Sequence, residues 1–127
     1  MDMLMADLIS QNVNDLAHAV EFIAKYIRSQ SPRLREEAEK ALTSLREIVP
    51  TMDPHWSMYH MSFDEGCSPE DFLQYANRVE QACQSGAPVK PIIKEMNAAC
   101  SKIDKKLYGE NGKSTRRCSS FRLEDLM

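Results

Sequence analysis

A chain of 127 residues with 43% hydrophobic content fits one domain with a buried core and excludes global disorder. Only four glycines, and strand formers that do not cluster, argue against a loop-rich all-β fold. Residues 1–101 hold nine Lys/Arg against fifteen Asp/Glu, and residues 102–127 hold seven against four. An acidic body with a basic tail is not the charge pattern of a dedicated nucleic-acid binder, although the tail suits an acidic partner.

The first predicted element covers residues 3–29. Ile9, Val13, Leu16, Val20, Ile23 and Ile27 follow at spacings of four and three, one face of a long helix. Asn14, His18 and Glu21 fall among the polar positions, so His18 reads as a surface histidine. Ser31 and Pro32 then supply a cap and a first helical residue that needs no amide hydrogen. Leu34, Ala38, Ala41, Leu45 and Ile48 form the second seam. Pro50 is expected to end that helix.

Asp53-Pro54 looks like another start signal, and a short helix is expected near residues 54–61. This stretch holds the only tryptophan, Trp56, together with Tyr59 and Phe63. Ser68-Pro69-Glu70-Asp71 opens the third main helix, with Asp71 in the reciprocal capping position. Its seam is Phe72, Ala76, Val79 and Cys83, and Ser85-Gly86-Ala87-Pro88 breaks it. The last helix begins near Val89 or Pro91 and reaches Tyr108, with Ile93, Met96, Cys100, Ile103 and Leu107 as its stripe. Gly109 is a C-terminal stop.

These patterns predict an all-α fold, an antiparallel bundle of four main helices plus one short helix. The bundle domain is expected over 1–108, and a flexible basic tail with a short terminal amphipathic segment over 109–127. No run of about 18 apolar residues occurs, so no membrane span is read. The start "MDMLMADLIS" has no basic residue and does not read as a secretory signal. Cys67, Cys83, Cys100 and Cys118 are 16, 17 and 18 apart with no CxxC pair. Free thiols and an intracellular setting, cytoplasmic or nuclear, follow as expectations, with Cys83 and Cys100 packed in the core.

Named chemistries fare poorly. "GENGKST" at 109–115 ends like a phosphate-binding loop, but that motif needs glycine at position 107, which is Leu107. The preceding "CSKIDKKLY" reads as helix, not as the strand such a loop requires. His55 and His60 are five apart, which a helix does not align for one ion, and paired zinc ligands are missing. The acids Asp64, Glu65, Glu70 and Asp71 surround a turn and a helix start, and their spacing misses a calcium loop. No nucleophile elbow or glycine-rich oxyanion loop is present. The chain is therefore expected to be no enzyme, with no cofactor and no metal.

The tail carries more. Arg116-Arg117-Cys118-Ser119 resembles a basophilic kinase site, marking Ser119 and Ser120 for phosphorylation. Phe121, Leu123, Leu126 and Met127 return to apolar character at the end of the chain, as in segments that fold into a groove. The expected function is a non-enzymatic interaction module, an adaptor or scaffold. Its protein partner would be bound through Trp56, Tyr59 and Phe63, through Phe121, Leu123 and Leu126, or through both. The alternative is a structural homodimer or larger homo-oligomer assembled on the seam of the first helix.

Overall fold

The computed structural model describes residues 3–57 and 67–109, and the side-chain surroundings of residues 6–52 and 67–109. Four helices follow one another: α1 (Met3–Tyr26), α2 (Pro32–Ser57), α3 (Pro69–Ser85) and α4 (Lys90–Tyr108), with no strand among the described residues. α1 and α3 pack on each other, and each also packs on α2 and α4. α2 and α4 do not meet among the described residues, so they flank the α1–α3 pair on opposite sides. No described helix is long and apolar enough to cross a membrane.

α1 buries the expected Ile9, Val13, Leu16, Val20 and Ile23. Its buried arc is wider than that seam, taking in Ala6, Ala17 and Ala24, and the polar Ser10 and Glu21. The cause is tertiary: three helices surround α1, and alanine methyls let neighbours come close. His18 is half-buried rather than a plain surface group, and its Nε2 is enclosed.

α2 begins as expected, with the Leu34 amide donating to Ser31 Oγ at 3.4 Å. Its end does not match expectation: the helix runs through Pro50 to Ser57. Asp53-Pro54 is thus interior to α2 and not a new start, and the remainder of the expected short helix, from residue 58, lies outside the described residues. Proline removes an amide donor and crowds the preceding turn, at a cost of about 3 kcal/mol in a helix interior. Pro50 is exposed, while Val49 before it is buried and Met52 after it packs on the core. Those anchors hold the helix across the defect. Thr51 Oγ1 adds a bond to the Ile48 carbonyl at 2.6 Å.

The α2 stripe is also rotated from the predicted one. Ala38, Leu42, Leu45 and Val49 are buried, Leu34 and Ala41 are half-buried, and Ile48 is 53% exposed. Both stripes obey helical spacing and share Ala38 and Leu45, so periodicity alone cannot choose between them.

α3 starts where its capping box places it. Ser68 Oγ accepts from the Asp71 amide at 3.2 Å, and Asp71 Oδ2 accepts from the Ser68 amide at 3.0 Å. Phe72, Ala76 and Val79 are buried, whereas Cys83 is only half-buried. Gly86 ends the helix at φ 77°, the left-handed region that glycine enters without a Cβ penalty. α4 buries Ile93, Met96, Cys100 and Ile103, and Leu107 packs on the core from its edge. Gly109 closes it, its amide donating to the Lys105 carbonyl at 2.7 Å.

Candidate interaction surface

The sides of each helix can be assigned from its polar contacts. Tyr108 of α4 donates its hydroxyl to Asp7 of α1, which marks the α4 side of α1. Burial, then that hydrogen bond, push the Tyr108 hydroxyl above its ordinary pKa, with Ser10 acting in the opposite direction. Arg46 of α2 donates to Asn77 Oδ1 at 3.0 Å and Glu80 Oε1 at 3.1 Å, which marks the α3 side of α2. α3 and α4 are tied by Arg78 to Glu95 at 2.8 Å, which lowers the Glu95 pKa, and by the Cys67 thiol to the Ala99 carbonyl at 3.7 Å.

Beyond the buried arc, on the side of α1 away from Asp7 and Ser10, lies a stripe at residues 8, 12, 15, 19, 22 and 26. Leu8 is 44% exposed there, Ala19 packs at the core edge, and Phe22 meets Tyr26 edge-to-face at 4.9 Å between ring centroids. On the side of α2 away from Arg46 lies the stripe at 34, 37, 41, 44 and 48, with Ala41 at the core edge and Ile48 exposed. α2 and α4 flank α1 on opposite sides, so the stripe away from α4 is the one beside α2. The two stripes therefore border the α1–α2 contact.

A five-residue link, 27–31, joins α1 to α2, which pack on each other. Leu8 and Ile48 are the large exposed apolar side chains among the described residues, and the small Ala19 and Ala41 pack at the core edge. Asp15 and Glu37 supply negative charge, with Glu37 also 3.8 Å from Lys40. Small residues between larger apolar ones are what a docking helix or extended segment fits against. Neither exposure is announced by the sequence: Leu8 is a single apolar residue off its predicted seam, and Ile48 was expected on the buried seam of α2.

Of the residues expected to bind a partner, Tyr59, Phe63, Phe121, Leu123 and Leu126 lie outside the described residues, as do Ser119 and Ser120. Trp56 belongs to the last turn of α2, and its side chain lies outside the described surroundings. Leu107, where a phosphate loop would need glycine, is inside α4. No group of three or more His, Cys, Asp or Glu able to hold a metal ion occurs among the described residues. Cys67 and Cys100 are buried, and burial raises the Cys83 pKa despite the opposing charge of Arg28.

One polar feature was not expected. Asn14 Oδ1 and His18 Nε2, one turn apart on α1, are buried without a hydrogen-bond partner. They lie on the α4 side of α1. An enclosed acceptor and an enclosed ring nitrogen one turn apart are groups a single internal water can bridge.

Compared with known proteins, the chain matches no family, no curated protein and no solved structure.

Proposed function

We propose that this chain is a non-enzymatic protein-interaction module, a helical scaffold presenting apolar recognition elements. The observation that carries this reading is the exposure of Leu8 and Ile48 on the paired helices α1 and α2. Isolated exposed apolar residues are ordinary, but two on helices that pack together, beside small side chains, are the start of a docking surface.

In this reading the helices form an antiparallel bundle over 1–108. The short 27–31 and 86–89 links, and the Tyr108–Asp7 hydrogen bond, support that arrangement. Residues 109–127 act as a basic tail, in an intracellular setting. The recognition elements are the 53–66 segment with Trp56, Tyr59 and Phe63, and the terminal Phe121, Leu123 and Leu126. Ser119 and Ser120 are proposed modification sites, where phosphate would offset the positive charge of Arg116 and Arg117.

A homodimer through the α1 seam is the weaker reading, because Ile9, Val13, Leu16 and Val20 are all buried within the chain. A second copy would have to displace α2, α3 or α4 to reach them.

The test is affinity capture from native cells with the intact chain, with Trp56→Ala, with Ile48→Glu and with residues 119–127 deleted. The reading expects at least one partner to be lost in at least one variant. Identical capture by all four chains sinks it.

A further inference from the structure

We infer that the outer face of α4 is a docking site for an acidic segment of a partner protein, held by Lys94, Lys102 and Lys105. This rests on the interaction reading and adds to it a second surface, on a different helix from Leu8 and Ile48.

Charge singles out this helix. α4 carries five lysines against the two acids Glu95 and Asp104. α1, α2 and α3 each carry more acidic than basic residues. Both acids of α4 are already committed. Asp104 is buried, and Glu95 is bound to Arg78 of α3 at 2.8 Å. Lys94, Lys102 and Lys105 are exposed and make no ion pair among the described residues.

The three lysines share one face. Lys94, Ala98, Ser101, Lys102 and Lys105 follow at helical spacing, and all five are exposed. Lys105 stands eleven positions after Lys94, about 16 Å of helix rise. α4 packs on α1 and α3 and does not meet α2, so the described helices leave this side uncovered. Ala98 and Ser101 are short and let another backbone come close between the ammonium groups.

An acidic protein segment fits this face better than other polyanions do. The exposed residues of α4 include no aromatic, Arg, Asn or Gln side chain. Nothing there stacks on a base or makes the paired contacts of those side chains with base edges. No large apolar side chain of α4 is exposed, so the face has no anchor to insert into a bilayer. Carboxylates need only the point charges that lysines supply. Each exposed pair contributes little by itself, so the three act as a set and the contact is sensitive to salt. Attraction of this kind steers the encounter and fixes which side of the bundle meets the partner.

The experiment titrates the intact 127-residue chain, by amide NMR, with a glutamate-rich peptide long enough to span α4. Shifts are expected at residues 94–105, and they should shrink as salt is raised. Changing Lys94, Lys102 and Lys105 together to Glu should weaken binding by about tenfold or more. If charge reversal near the helix end unfolds the chain, the same three positions changed to Gln keep helix propensity and still remove the charge. No shift at 94–105, shifts that fall on another face, or unchanged affinity in the lysine variants overturns the inference. Tighter binding of duplex DNA or of phosphatidylserine vesicles through the same lysines also overturns it, by assigning the face to another occupant. Partner capture that is lost in Ile48→Glu but unchanged in the lysine variants overturns it as well, while leaving the interaction reading intact.

Discussion

Tyr108 gives its hydroxyl hydrogen to the Asp7 carboxylate, joining the last turn of α4 to the beginning of α1 across 101 residues of chain. Tyr108→Phe keeps the ring and removes that bond. The pair is largely exposed, so the expected loss is about 1 kcal/mol or less at neutral pH. Urea unfolding should show a lower midpoint with an unchanged slope. Equal midpoints would mean that water replaces the bond without loss.

Tyr75 makes the alkaline limb of stability. It is 5% exposed, and burial, reinforced by Glu95 and Asp71, raises its pKa to about 12. The unfolded value is about 10. The folded chain therefore holds this proton more tightly than the unfolded chain does. The stabilisation is complete below about pH 10 and is lost as pH rises toward about 12. Tyr75→Phe should flatten the fall in unfolding free energy over that window by an amount on the order of 2 kcal/mol. A wild-type slope retained in the variant would assign the effect to other groups.

Neighbours on α2 should behave oppositely. Val49 is 0% exposed and Ile48 53% exposed. Val49→Ala is expected to cost on the order of 2 kcal/mol by removing buried methyls and leaving a void. Ile48→Ser should change stability by less than about 0.5 kcal/mol. Thermal unfolding of the two variants decides the register, and the reverse ranking would restore the stripe that includes Ile48.

Pro50 is exposed in mid-helix, so Pro50→Ala restores an amide donor for the Arg46 carbonyl. A stabilisation of about 1–3 kcal/mol is expected, reduced by the extra freedom alanine gives the unfolded chain. A variant that melts lower would mean that the proline bend is itself needed for packing.

Ser68→Ala removes one side of the α3 capping box and leaves Asp71 without its hydroxyl donor. The expected cost is about 1 kcal/mol. Hydrogen exchange in the first turn of α3 should accelerate more than exchange at its centre, and uniform acceleration would point to a global effect instead.

What could be read in the chain beforehand depended on whether the signal was local. The start of α3 was legible because Ser68, Pro69 and Asp71 act on one another within four residues. The stripes of α1, α3 and α4 were legible because each has one dominant apolar face. The end of α2 was not, because the local rule at Pro50 competes with burial of Val49 and Met52, which only the assembled fold supplies. The burial of Ser10 and Glu21 was equally hidden, since it depends on how many helices surround α1. The exposure of Leu8 and Ile48 was the least legible feature, because which side of each helix is covered depends on its neighbours. The aromatic and tail residues read as recognition elements lie outside the described residues apart from Trp56, whose backbone belongs to α2.

The contact of α4 with the first turns of α1 also sets a timetable for synthesis. α1 and α2 can pack together as soon as both have left the ribosome, because their link is five residues long. The seat for α4 on α1 stays empty until nearly the whole bundle has been made, and closing such a long loop adds entropy that grows with the logarithm of its length. During that interval the face of α1 around Ser10 and Ala17 is open to other chains. A chaperone or a neighbouring nascent chain would meet that face first, which makes α4 the natural place for misassembly to begin.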